Sequence, residues 1–222
     1  MVKRISLRLL LVFGIFVLIL VVNFVIFQIT ATKVTEGEPI ENREPERVAL
    51  LVIDIQEATT GSTSLNEGYV HQSESLIGHV NKLVADAEEK GWMVIWIRSE
   101  VSNPLINILN SSMAKGSLGA ELDERLDTSF GRVLVKKTND SFKNTPLDEI
   151  LEKQGIGQLV LAGLDAEHCV HSTVQAAANR GYKLRVFKET VIAEEERILA
   201  RMLEIYQAMG VELLSMTELG DF

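Results

Sequence analysis

Residues 158–188 read QLVLAGLDAEHCVHSTVQAAANRGYKLRVFK. The run LVLAGL is apolar on consecutive positions, as a strand buried on both faces requires. Residues 166–180 suit a helix, and Gly181 follows where a left-handed C-cap residue belongs. A second strand fits KLRVFK at 183–188. Strand, helix and strand in so short a segment form a crossover unit, the connection that parallel strands need.

Outward from this unit the pattern repeats. Strands are expected at 48–54 (VALLVID), 92–98 (WMVIWIR), 132–136 (RVLVK), 158–164 (QLVLAGL), 183–188 and 211–214. Helices are expected at 74–90, where Leu76, Val80, Leu83 and Ala87 form an apolar stripe, and at 146–153, 166–180 and 193–209. Gly91, Gly155, Gly181 and Gly210 each follow a helix. Residues 99–128 mix an apolar patch, glycines and an amphipathic end, and would cover the site or make a subunit contact. The class is an α/β fold on a parallel sheet, one domain over residues 48–222.

The N-terminus differs. Residues 9–29, LLLVFGIFVLILVVNFVIFQI, carry no charge, and 21 residues at ~1.5 Å each match the ~30 Å bilayer core. The run is too long for a cleavable signal peptide and lacks a good cleavage site. Residues 1–35 therefore read as a transmembrane anchor. Lys3, Arg4 and Arg8 precede the run and Lys33 alone follows closely, which favours a cytoplasmic N-terminus and an extracytoplasmic body. Residues 36–47, EGEPIENREPER, read as an exposed tether. None of the 31 acidic residues lies in residues 1–35, so the body is strongly acidic and repels nucleic acid. Cys169 is the single cysteine, which excludes an intrachain disulfide and a cysteine-rich metal site.

Ligands of open parallel sheets bind beyond the carboxyl ends of the strands. That rule selects Asp54, Lys136 and Cys169. A thiol in the first turn of a helix, near an ammonium, is expected to be nucleophilic near neutral pH. Asp54 would take the thiol proton and return it to a leaving amine. Each residue also has a bland reading: core thiol, turn cap and solvated lysine.

Three stretches carry a resemblance to the isochorismatase-like cysteine hydrolases: ALLVIDIQ at 49–56, KKTNDSFKNTPL at 136–147, and AGLDAEHCVHSTVQAAANRGYKLRVFKE at 162–189. The resemblance implies a Rossmann-like six-stranded parallel sheet in the order 3-2-1-4-5-6. It implies catalytic Asp54, Lys136 and Cys169, and C–N hydrolysis of a small amide or ureide through a thioester. It further implies a cis peptide at Leu164–Asp165, an oxyanion hole from the N–H groups of Asp165 and Cys169, and a homo-oligomer. The family spacing to Phe142 and Thr145 selects Lys136 over Lys137 as the catalytic lysine.

Nicotinamidases of that family hold a metal through an Asp-x-His arrangement that is missing here, so no metal and no cofactor are expected. His71 is expected in a loop and His79 on a helix, neither as a ligand, and His168 and His171 point away from Cys169. Asp140, where the family usually has serine, is either an acid at the site entrance favouring a cationic substrate or a solvated loop charge. The alternatives are a catalytically silent binding or scaffold protein of the same fold, and a vinyl ether hydrolase of the isochorismatase type. Cys169 counts against the latter, whose members lack that nucleophile.

Overall fold

The computed structural model describes residues 2–40 and 47–221. Its elements run α1 (Val2–Thr32), β1 (Arg47–Ile53), α2 (Glu67–Glu89), β2 (Met93–Ser99), α3 (Pro104–Leu109), β3 (Arg132–Lys136), α4 (Leu147–Lys153), β4 (Ile156–Gly163), α5 (Cys169–Asn179), β5 (Lys183–Phe187), α6 (Glu196–Ala208) and β6 (Glu212–Leu214). All strand pairs are parallel, in the order β3-β2-β1-β4-β5-β6.

Alternate residues of a strand face opposite sides of the sheet, and β1 feeds two cores. Ala49, Leu51 and Ile53 pack with Leu147 and Leu151 of α4, Val170 and Val174 of α5, and Met202 and Tyr206 of α6. Leu50 and Val52 pack on the other face with Leu76, Val80, Leu83 and Ala87 of α2. The result is a three-layer sandwich. Strand β3 departs from the two-sided burial expected of it, since Val133 and Val135 are exposed at the sheet edge.

The four helix-ending glycines all have positive φ, between 65° and 84°. Gly163 is a tighter case. Its φ is 114°, and an added Cβ would lie 2.0 Å from Ile53 O, the carbonyl that accepts Leu164 N–H at 3.0 Å. Nothing there can move without separating β1 from β4. Gly163→Ala is expected to lower stability by at least ~3 kcal/mol in chemical denaturation. An unchanged denaturation midpoint would remove this packing argument.

Helix α2 begins seven residues before the expected start. Asn66 caps it by accepting Tyr69 N–H, and its first two turns carry little of the apolar stripe that marks the rest. His71 is consequently helical, not in a loop.

Within α1, residues Leu9–Thr32 are apolar and long enough to cross a membrane, by length and composition. In this stretch Leu20, Asn23, Phe27 and Ala31 alone are partly or wholly buried, at helical i, i+3 and i+4 spacing. That face rests on the domain. Asn103 Nδ2 donates to Asn23 Oδ1 at 3.1 Å, and Asn139 N to Ala31 O at 3.0 Å. The beginning of the expected tether is also held. Thr35 donates to Asp140 Oδ2 through N–H (2.9 Å) and Oγ1 (2.8 Å), and Ile40 N–H to Arg180 O. Buried Arg180 makes a two-point ion pair with Asp148 and stacks on Phe142 at 4.2 Å. Tether residues 41–46 lie outside the described residues.

Candidate active site

Asp54 directly follows β1, Lys136 ends β3 and Cys169 begins α5. Parallel strands deliver all three to one crevice. Lys136 Nζ donates to Asp54 Oδ2 at 2.7 Å, Ser99 Oγ at 2.7 Å and Thr138 O at 3.2 Å, and stands 3.2 Å from Cys169 Sγ. Ser99 Oγ donates to Asp54 Oδ1 at 3.0 Å. Lys136 is 1% exposed and Asp54 4%. An isolated buried ion costs several kcal/mol, so each charge here depends on the other.

The backbone of Asp54 is in the left-handed region at φ 55°, which costs ~1–3 kcal/mol for a non-glycine residue. Its N–H donates to Ile97 O, and its carbonyl accepts from Thr59 Oγ1 at 2.7 Å. Gln56 braces the same corner, donating to Ser99 O and Ala120 O and accepting from Ser99 N–H. The carboxylate is thus aimed before any ligand arrives.

The charges differ from the expectation of a ready thiolate. Burial and the Asp54 carboxylate push the Cys169 thiol up to about 12, outweighing the opposing pull of Lys136. Burial alone would lower Lys136, but Asp54 and Cys169 reverse this and hold it above its ordinary value. The resting thiol is therefore neutral beside the Lys136 ammonium.

A second cluster adjoins the thiol. The Leu164–Asp165 peptide is cis. Asp165 accepts from Tyr69 Oη at 3.1 Å and from Glu167 N–H at 2.7 Å, and lies 2.9 Å from His168 Nδ1. Burial alone would raise Asp165, yet the His168 ring and the Glu167 N–H bring it below the usual carboxylate range. The hydrogen bond to Asp165 raises His168 against the effect of burial. Cys169 N–H occupies the first position of α5, where no intrahelical acceptor exists.

Asp54, Tyr69, Asp165, His168 and Cys169 line a cavity of about 250 Å³ with Ser99, Glu100, Val101, Met113, Lys137 and Thr138. Of residues 99–128, Ser99, Glu100, Val101 and Met113 reach the site. His168 lines the cavity, whereas His171 stacks on Tyr206 with its rings 6.0 Å apart. Asp140 is fully buried and committed to Thr35 and Phe142 N–H, so neither reading offered for it, entrance acid or solvated charge, holds. A larger groove of about 660 Å³ lies at the amino ends of the strands, near Val48 and Gln158, away from Cys169.

Ser99 and Tyr69 were not singled out from the sequence. Ser99 ends β2 and obeys the same strand-end rule as Asp54 and Lys136. Tyr69 had no such signal, because it sits in the unrecognised first turn of α2.

Among the described residues, no group of three or more His, Cys, Asp or Glu side chains is placed to hold a metal. The carboxylates nearest the thiol are engaged by Lys136 and by the Tyr69–His168 pair. The donor set does not fit a metal.

A family model described as Isochorismatase domain matches residues 48–218. Ureidoacrylate amidohydrolase RutB of Klebsiella pneumoniae is 28% identical over 158 residues, covering 59% of this chain and 67% of its own. An uncharacterized isochorismatase family protein, YrdC of Bacillus subtilis, is 27% identical over 150 residues, covering 67% and 75%. The structure of N-carbamoylsarcosine amidase from Thermoplasma acidophilum superposes with a TM-score of 0.65 at 26% identity, over 77% of this chain and 96% of that one. Pyrazinamidase of Pyrococcus horikoshii in complex with zinc shares the fold, with a TM-score of 0.65 at 22% identity, over 76% and 99%.

Proposed function

The chain belongs to the isochorismatase family, and we propose that it is a metal-independent cysteine hydrolase cleaving a C–N bond of an amide- or ureide-like substrate. The observation that carries this reading is Lys136 Nζ within hydrogen-bonding distance of both Asp54 and Cys169 Sγ. The amide- and ureide-cleaving relatives support it.

Cys169 Sγ attacks the substrate carbonyl carbon while Asp54 takes the thiol proton. A neutral resting thiol suits this order, because the proton leaves only as the S–C bond forms. The oxyanion is held by the N–H groups of Asp165 and Cys169, with typical donors worth ~3–4 kcal/mol each. Lys136 compensates the negative charge that moves through the site. The intermediate then collapses, the C–N bond breaks, and Asp54 returns its proton to the leaving nitrogen. Water, deprotonated by Asp54, hydrolyses the thioester and frees the thiol.

A binding module of the same fold gains nothing from a buried lysine that costs several kcal/mol to desolvate. The test is release of ammonia or amine from a panel of amides, ureides and lactams. Activity is expected with at least one, within twofold after dialysis against a strong chelator. A loss restored by one divalent metal would sink the metal-free reading.

Helix α1 is proposed as a single-pass anchor with a cytoplasmic N-terminus and the hydrolase domain outside. Protease added to intact cells is expected to cut within residues 41–47. Cleavage only after lysis would reverse the topology.

A further inference from the structure

The membrane-proximal end of α1 is also part of the pocket. Phe27, Gln28 and Ala31 line the same cavity as Cys169, Asp54 and Asp165. This contact is held at several points: Asn23 by Asn103, Ala31 O by Asn139 N–H, the Thr30 and Lys33 carbonyls by Lys143 Nζ, and Thr35 by Asp140. The docked residues Asn23, Phe27 and Ala31 recur every four positions, while the rest of the helix presents Phe24, Val25, Ile26 and Ile29 outward.

The position along the helix fixes the depth. The uncharged run ends at Ile29. Phe27 lies two residues earlier, or ~3 Å along the axis, and Asn23 six residues earlier, or ~9 Å. If residues 9–29 span the hydrocarbon core, the cavity opens at its boundary with the headgroups. Helix α3, bonded to Asn23 through its cap Asn103, reaches the same level and exposes Ile108 at 66%. Phe27 at the cavity and Ile108 beside it give this level an apolar surface continuous with the outward face of α1.

We infer that the substrate is an amphiphile, an amide or ureide with an alkyl tail, which the site draws from the adjoining leaflet past Phe27. The small cavity takes the polar head and the scissile group, and the tail stays in lipid along α1. This rests on the C–N hydrolase reading.

The test uses the full chain in phosphatidylcholine vesicles and two thiol reagents, iodoacetamide and N-hexadecyl iodoacetamide, with alkylation of Cys169 followed by intact mass at pH 9. The tailed reagent is expected to react at least tenfold faster. Phe27→Trp, which narrows the passage, should reduce that ratio at least fivefold with iodoacetamide itself changed less than threefold, while Phe27→Ala keeps the ratio high. A tailed reagent no faster than iodoacetamide, or an equal ratio in wild type and Phe27→Trp, overturns the inference. Failure of the hydrolase reading would look different: both reagents alkylate as expected, but no amide or ureide, tailed or short, is turned over.

Discussion

Asp54→Asn is expected to reduce turnover by at least ~10³-fold, within the range for loss of a general base that acts in both half-reactions. The same change should make Cys169 easier to alkylate. Asp54 is a cause of the raised thiol value, and its negative charge disfavours a thiolate beside it. With that charge removed and Lys136 still in place, the ammonium pairs with the thiolate and the thiol pKa falls from about 12. Asparagine tolerates the left-handed backbone of position 54, so the corner is expected to hold. The informative result is the opposition: iodoacetamide reactivity at pH 8 rises as catalysis falls. A fall in both would mean that Asp54 only supports the thiol's position.

Lys136→Ala carries the second large effect and has a control one residue away. Removing the ammonium leaves Asp54 buried without its partner, and breaking such a pair typically costs ~3–5 kcal/mol. The thiol loses its one stabilising cation, so its pKa rises further and alkylation slows. Turnover is expected to fall at least ~10³-fold, since neither half-reaction then has compensation for its negative charge. Lys137 is exposed at the cavity rim and makes none of the contacts that Lys136 makes with Asp54 and Cys169, and Lys137→Ala should leave the turnover number within about threefold and stability within ~0.5 kcal/mol. Equal losses in the two variants would show that β3 is shifted by one residue.

The two lysines also show what a sequence can and cannot specify. Alternation along a strand says that Lys136 and Lys137 diverge, but not which one faces the crevice. The spacing to Phe142 and Thr145 selects Lys136, the residue that reaches Asp54 and Cys169 here. Strand positions were legible because apolar runs bounded by glycine leave few alternatives, and β3 begins and ends where RVLVK suggests. The sheet order came from the resemblance, since periodicity carries no information on which strands are neighbours.

What escaped was mostly long-range polar contact. Asp140 is one of several acids in a polar segment, and only the folded chain brings Thr35 to it across 105 residues. Arg180 gives no sign in the sequence that it secures both Asp148 and residues 35–40. The thiol is pushed up, opposite in direction to the nucleophilic thiolate expected from the sequence. That expectation counted the helix terminus and the lysine but not the desolvation of the thiol beside the Asp54 carboxylate, which raises it.

Acylation of Cys169 is read by intact mass spectrometry of the full chain, quenched in acid during turnover of an active amide or ureide. The expected result is a mass increase equal to the substrate's acyl group, mapped to the peptide carrying Cys169, removed by hydroxylamine and lacking in Cys169→Ser. Sustained turnover with no adduct at any quench time, or turnover that survives Cys169→Ser, would contradict it.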